Sequence, residues 1–96
     1  MKNTALITGS YGGLGTCFVN IHAAKGGDLI LVGRSQSKLD AQAAEVAAKY
    51  GVETATIAVD LSQPEAAQHI YDACKTNGWN PDIIINNAGF GGQGDF

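Results

Sequence analysis

The sequence predicts an α/β fold, a doubly wound parallel sheet with strand order 3-2-1-4 and three helices on two faces. Three observations carry that expectation. Short apolar runs alternate with stretches of helical periodicity, giving strand-helix-strand-helix-strand-helix-strand along the chain. Right-handed crossovers then place the first two helices on one face of the sheet. Finally, the glycines concentrate in two clusters, each directly after an apolar run. If the chain reverses after the third strand, the fourth lies beside the first. The crevice between their carboxyl ends is then the point where ligands bind in such sheets, and both glycine clusters fall there.

Each element has its own signal. Residues 4–8 (TALIT) are a short strand, followed by a glycine-rich turn over 9–15. Leu14, Cys17, Phe18, Ile21 and the stem of Lys25 then recur at helical spacing as an expected inward stripe. Gly26 and Gly27 end that helix by supplying left-handed backbone. Residues 29–32 (LILV) form a second buried strand. Ser35 or Ser37 caps a second helix, whose stripe is Leu39, Ala43, Val46, Ala47 and Tyr50, and Gly51 stops it. Residues 54–59 (TATIAV) are the third strand. Ser62 and Glu65 have capping-box spacing, with Pro64 in the first turn of the third helix. Ala66, Ala67, Ile70, Tyr71 and Cys74 are its expected inward residues. Residues 77–81 (NGWNP) form a loop in which Trp79 and Pro81 pack, and residues 83–85 (III) are a buried fourth strand.

Composition narrows the function classes. An apolar fraction of 45% and a charged fraction of 16% over 96 residues describe a globular chain. A net charge of -3 without a basic block argues against nucleic acid as a partner. No apolar run is long enough to span a bilayer, and the apolar start is too short for a signal-peptide core. The expected place is the cytoplasm. Cys17 and Cys74 fit neither a redox nor a zinc spacing and read as reduced core thiols. His22 and His69 lie on different helices without a second ligand at metal spacing, and read as surface or boundary residues.

The first cluster, TGSYGGLG over residues 8–15, sits between a strand and a helix. Glycines there let backbone approach a pyrophosphate, and the helix N-terminus offers N–H groups and a positive dipole. Thr8-Gly9-x-x-x-Gly13-x-Gly15, joined to Asn86-Asn87-Ala88-Gly89, resembles the short-chain dehydrogenase/reductase family. Asp60-Leu61 after the third strand also fits. The resemblance implies a Rossmann-type NAD(P)-binding fold and an oxidoreductase that acts on a carbonyl or alcohol substrate. It covers the whole chain but only the first half of the family's domain. The family's catalytic Ser and Tyr-x-x-x-Lys come later, so residues 1–96 read as a partial coenzyme-binding domain with its C-terminal half absent. Met1 reads as a natural start. The chain alone is expected to be inactive, and its longer parent to be an enzyme and a homo-oligomer.

The resemblance assigns coenzyme contacts residue by residue. Gly9, Gly13 and Gly15 match the coenzyme loop, and Ser10, Tyr11 and Leu14 lie between them, within reach through backbone or hydroxyl groups. Asp60 resembles the carboxylate that accepts from the adenine amino group, with Leu61 beside it. Asn87, Ala88 and Gly89 match the segment that runs along the coenzyme, while Asn86 ties neighbouring strands. Phe90 to Gly94 extend the second cluster into a region that, in the family, leads to dimer and substrate contacts. None of these residues is expected to be catalytic or to bind metal.

The second strand ends in LVGR, which bears on coenzyme choice. NAD-dependent folds place an acidic side chain there for the ribose hydroxyls. This chain has Gly33, then Arg34 and Ser35, which suit a 2′-phosphate, so NADP(H) is favoured over NAD(H). Tyr71 and Lys75 also fit Tyr-x-x-x-Lys, but they precede the Asn-Asn-Ala-Gly segment and are read as a chance match. Two other readings fit part of the pattern. One is a fragment of a sugar-nucleotide epimerase or dehydratase, which shares the Gly9, Gly12, Gly15 spacing. The other is a non-enzymatic NADP-binding module.

Overall fold

The computed structural model describes residues 1–87. Four parallel strands and three helices alternate: β1 (Ala5–Thr8), α1 (Gly13–Ala24), β2 (Leu29–Gly33), α2 (Gln36–Tyr50), β3 (Thr54–Ala58), α3 (Ala66–Asn77) and β4 (Ile83–Ile85). The sheet order is β3-β2-β1-β4, as expected. Ala5 lies opposite both Leu29 and Ile83, and Leu29 opposite Thr54, so all four strands start level. Strand limits differ slightly from the sequence reading. Thr4 precedes the first ladder, Gly33 joins the second, and Val59 lies just past the third while still donating to the Gly33 carbonyl at 2.8 Å.

Side chains alternate across a strand, and this sorts the core into two layers. Ala5, Ile7, Leu29 and Leu31 face one side, where Val19, Ala23, Leu39 and Val46 cover them. Leu6, Ile30, Val32 and Ile57 face the other, where Cys74 joins them. Burial pushes the Cys74 thiol pKa upward, keeping it protonated. β1 and β2 therefore read as continuous apolar runs because they are covered on both faces.

Helix α2 follows its predicted stripe. Leu39 and Val46 are buried, with Ala43 and Tyr50 packed against the same cluster. Its Ser35 side chain accepts from Lys38 N–H, and Gly51 closes it at φ 69°. The α1 stripe, in contrast, is borne out only at Phe18, which packs partly buried against that cluster. Gly15, Val19, His22 and Ala23 face the sheet, while Leu14 and Ile21 are each 55% exposed. Cys17 is exposed too, so it is not a core thiol. His22 is buried, and its Nε2 donates to the Asn3 carbonyl at 2.6 Å.

Helix α3 departs from expectation at both ends of its first turns. It begins at Ala66 with Glu65 at the N-cap and no side-chain cap, and the Ser62 hydroxyl donates to Asp60 Oδ1 at 2.7 Å. Tyr71 is 61% exposed rather than inward. The described residues bury Ala66 and Cys74 of that helix and partly cover Ile70 and Ala73. Likewise, β4 is not enclosed: Ile83 is 43% and Ile84 67% exposed. Among the described residues β4 pairs with β1 only. An apolar unpaired edge templates strand addition. The chain is expected to self-associate with rising concentration, and Ile84→Lys to suppress this. A monodisperse wild-type monomer at every concentration in light scattering would count against that expectation.

Asp28 fastens the amino-terminal ends of the strands. It is 8% exposed and accepts from the N–H of Lys2 at 2.6 Å and of Glu53 at 2.9 Å. Removing it leaves two N–H groups of partly buried backbone without their acceptor. Asp28→Ala should cost about 2 kcal/mol, and Asp28→Asn less, since its amide oxygen keeps one bond. Urea melts of the two variants check the order.

Candidate functional site at the carboxyl end of the sheet

The turn after β1 is built by three glycines with different duties. Gly9 adopts φ 64°, and its N–H donates to the Val32 carbonyl at 2.8 Å, which ties the turn to β2. Gly15 faces that turn so closely that a Cβ there would overlap the Gly9 carbonyl oxygen. Gly13 has neither duty. Its φ is not positive, and a Cβ there would meet nothing within 4 Å among the described residues. Helix α1 starts at this point with Gly12 as N-cap and no side-chain cap, and its first turn carries no acidic residue. Its leading N–H groups thus open outward beside a bare backbone, an arrangement that accepts an anion.

Two asparagines bring β4 to the same turn. The Thr8 hydroxyl donates to Asn86 Oδ1 at 3.2 Å, the strand tie expected of Asn86 although the residue itself is exposed. Asn87 Nδ2 donates to the Gly9 carbonyl at 3.4 Å. The crevice between β1 and β4 is thereby framed by the glycine turn and Asn87. Ala88 and Gly89 lie outside the described residues.

On the other side of β1, the ends of β2 and β3 converge. Arg34 Nε stands 3.9 Å from Asp60 Oδ1. The same Oδ1 accepts from the Ser62 hydroxyl at 2.7 Å and the Ser62 N–H at 3.0 Å. Those hydrogen bonds, and after them the Arg34 charge, hold the Asp60 carboxyl below its usual range, against a partial desolvation that pushes it up. Asp60 is therefore an anion throughout the neutral range. Leu61 packs against the second core layer beside it.

Tyr11 links the two regions. Its hydroxyl accepts from the N–H of Arg34 at 3.1 Å and of Ser35 at 3.0 Å, and its ring lies on Gly33. Lys38 Nζ stands 5.5 Å from the ring centroid. Ser10, by contrast, is fully buried. Its hydroxyl donates to Gln42 Oε1 at 2.7 Å, and Gln42 Nε2 donates back to the Ser10 carbonyl at 2.7 Å. The Ser10 side chain thus braces the turn against α2. Leu14 sits exposed on the first turn of α1. Gln42 and Ser62 were not anticipated. Gln42 is 32 residues from Ser10 and carries no motif, whereas Ser62, two residues after an aspartate, fits a local turn signal.

Tyr71 and Lys75 lie elsewhere. They line a groove of about 410 Å³ with Trp79, Asn80 and Pro81, which precede β4 and mark the opposite end of the sheet. No group of three side chains suited to a metal occurs among the described residues. No described helix is long and apolar enough to cross a membrane.

A parallel sheet ordered 3-2-1-4, with a glycine turn and an asparagine at its central crevice, defines an NAD(P)-binding type of fold. The sequence profile of the short chain dehydrogenases matches residues 3–96, and the chain belongs to that family of oxidoreductases. It is 44% identical over 87 residues to a very-long-chain 3-oxoacyl-CoA reductase of Phaeosphaeria nodorum, covering 88% of this chain and 26% of the relative. The L-sorbose reductase of Gluconobacter frateurii, solved with NADPH and L-sorbose, superimposes with a TM-score of 0.82 at 30% identity, over 88% of this chain and 32% of that one. A short-chain dehydrogenase of Sphingobium yanoikuyae, solved with NADPH, gives 0.68 at 34% identity over 73% of this chain and 28% of that one. The chain thus spans about a quarter of its curated relative's length.

Proposed function

We propose that this chain is the coenzyme-binding part of an NADP(H)-dependent short-chain oxidoreductase whose substrate is a carbonyl or alcohol. Gly13 carries the reading. Packing explains Gly15 and backbone geometry explains Gly9, but neither explains a glycine whose Cβ would meet nothing within 4 Å among the described residues. A ligand that needs to lie against the backbone there does, and the uncapped N-terminus of α1 suits its pyrophosphate. The bound coenzyme supplies or accepts the hydride. Gly9 shapes the turn, Asn87 fixes its carbonyl, and Asp60 offers a fixed anionic acceptor to an adenine amino group. Arg34 and Ser35 stand where a 2′-phosphate of the ribose would be met by charge and hydroxyl.

The relatives support the coenzyme and the reaction class. Two similar structures hold NADPH, and the curated relative reduces a 3-oxoacyl thioester, a carbonyl substrate.

The test is a side chain at position 13. Gly13→Val should leave thermal stability nearly unchanged, apart from the modest helix-propensity difference, about 0.5 kcal/mol. It should weaken NADPH binding at least tenfold by filling the space where the pyrophosphate lies. Undiminished binding by a folded Gly13→Val variant would remove the main support for the reading.

A further inference from the structure

We infer that Tyr11 is a specificity-determining residue for the coenzyme, and that its phenolic O–H donates a hydrogen bond to the 2′-phosphate of the adenosine ribose. The inference rests on the NADP(H) reading above and assigns that site a third group besides Arg34 and Ser35.

A phenol oxygen has two lone pairs and one proton. In this structure both lone pairs have partners, the N–H groups of Arg34 at 3.1 Å and Ser35 at 3.0 Å. The proton has no acceptor among the described residues. The oxygen's two bonds come from the backbone just past β2, which leaves the O–H for a further acceptor beside Arg34, whose side chain is 77% exposed. Arg34 and the Tyr11 O–H are donors, the Ser35 hydroxyl can donate while it accepts from Lys38 N–H, and Lys38 adds a positive charge over the ring, with the Asp60 carboxylate 3.9 Å from Arg34 Nε. A dianionic phosphate matches the excess of donors and positive charge in this set.

The ring has a second effect. A Cβ at position 33 would come within 2.6 Å of Tyr11 Cε2 and 3.1 Å of its Cζ and Oη. Tyr11 occupies the space into which a side chain at 33 would project. That side chain is where NAD-dependent relatives of this fold carry their carboxylate. Tyr11 and an acid at 33 therefore compete for the same space, and the tyrosine both supplies a donor for the phosphate and disfavours the group that would repel it.

The experiment uses small probes of the adenosine end alone. Adenosine 2′,5′-bisphosphate and 5′-AMP are titrated into wild type, Tyr11→Phe and Tyr11→Leu, with inorganic phosphate as a further arm. Wild type should prefer the bisphosphate. Tyr11→Phe keeps the ring on Gly33 and removes only the hydroxyl. It should weaken the bisphosphate about tenfold, the low end for a hydrogen bond to a charged group, and leave 5′-AMP within a factor of two. Tyr11→Leu should lose the same preference and also loosen both ligands.

Equal affinity of wild type for the two nucleotides would refute the NADP(H) reading itself, before any substitution is considered. A wild-type preference that persists in Tyr11→Phe would refute the role of Tyr11 alone. So would tighter bisphosphate binding by that variant, because the hydroxyl would then be shown to compete with the phosphate for the two N–H groups. Parallel weakening of both nucleotides would reduce Tyr11 to a brace for the loop. Inorganic phosphate binding that falls in Tyr11→Phe while the bisphosphate is unaffected would mark a general anion site and overturn the assignment to the ribose.

Discussion

Gly15→Ala is expected to destabilise the protein by about 3 kcal/mol or more, at the upper end for inserting atoms into a packed interior. The added Cβ would overlap the Gly9 carbonyl oxygen, and would stand 2.9 Å from Gly9 C and 3.0 Å from Ser10 Cα. These are backbone atoms, so no rotamer change can relieve the overlap. Gly9 is itself held by its bond to Val32 and by its left-handed conformation, and Ser10 by its bonds to Gln42. Either α1 lifts from β1, or the turn lets go of β2. Both routes expose Val19 and Ala23 of the core. A domain of this size has only about 5–15 kcal/mol in hand. The urea midpoint should fall by more than about 1 M, and coenzyme binding should fail with the turn. A Gly15→Ala variant within 0.5 kcal/mol of wild type would show that the close approach of helix and turn is not required.

The contrast between Gly15 and Gly13 also shows where sequence reading reaches and where it stops. The glycine spacing located the turn, but it treated the three glycines as equivalent. Only the backbone path separates one glycine needed for packing from one whose Cβ would meet nothing within 4 Å among the described residues. The same closeness misled the reading of α1. Leu14, Cys17, Phe18 and Ile21 recur at helical spacing, and that spacing competes with Val19 for the inward face. The face is instead set by Gly15, which must lie on the turn, and this rotates Val19, His22 and Ala23 inward. A glycine carries no hydrophobic signal, and a histidine that donates to a backbone carbonyl carries the opposite one. Helix α2 has no such anchor, and its stripe was legible because side-chain burial alone orients it.

Strand order was legible for a more general reason. Four apolar runs separated by helices leave few right-handed arrangements, and the glycine cluster after the first run marks the switch point. Long-range polar partners were not legible. Ser10 with Gln42 and Tyr11 with Arg34 and Ser35 join residues 32, 23 and 24 apart. Nothing local to either partner announces such a pair. The Ser62–Glu65 capping box is absent because the helix begins later, with Glu65 itself at the N-cap, while Ser62 closes a local turn on Asp60. The exposed apolar residues of α3 and β4, Tyr71, Ile83 and Ile84, followed the expected pattern of spacing but meet no covering layer among the described residues.

On the NADP(H) reading proposed above, NADPH is expected to bind about 10- to 150-fold more tightly than NADH, the range that a hydrogen bond to a charged group supplies at roughly 1.5–3 kcal/mol. Gly33 has no carboxylate to hold the ribose hydroxyls, and Arg34 can meet a 2′-phosphate. Arg34 is 77% exposed and now stands 3.9 Å from Asp60, an ion pair between exposed groups that yields little on its own and is readily exchanged for a phosphate. Rising salt should erode the preference, because the charges face solvent. Arg34→Ala should weaken NADPH and leave NADH nearly unchanged. Reversing the preference by Gly33→Asp alone, the obvious substitution from the sequence, is not expected to succeed. The new Cβ would meet the Tyr11 ring at 2.6 Å, so the single variant disturbs the loop before its carboxylate can act. Gly33→Asp combined with Tyr11→Ser removes that conflict and should favour NADH. Both coenzymes are titrated into wild type, Arg34→Ala, Gly33→Asp and the double variant, at low and high ionic strength. Equal wild-type affinities, or equal losses for both coenzymes in Arg34→Ala, would make Arg34 an ordinary surface charge. A Gly33→Asp single variant that switches cleanly to NADH would show that the Tyr11 ring yields, and that charge at position 33 alone decides the choice.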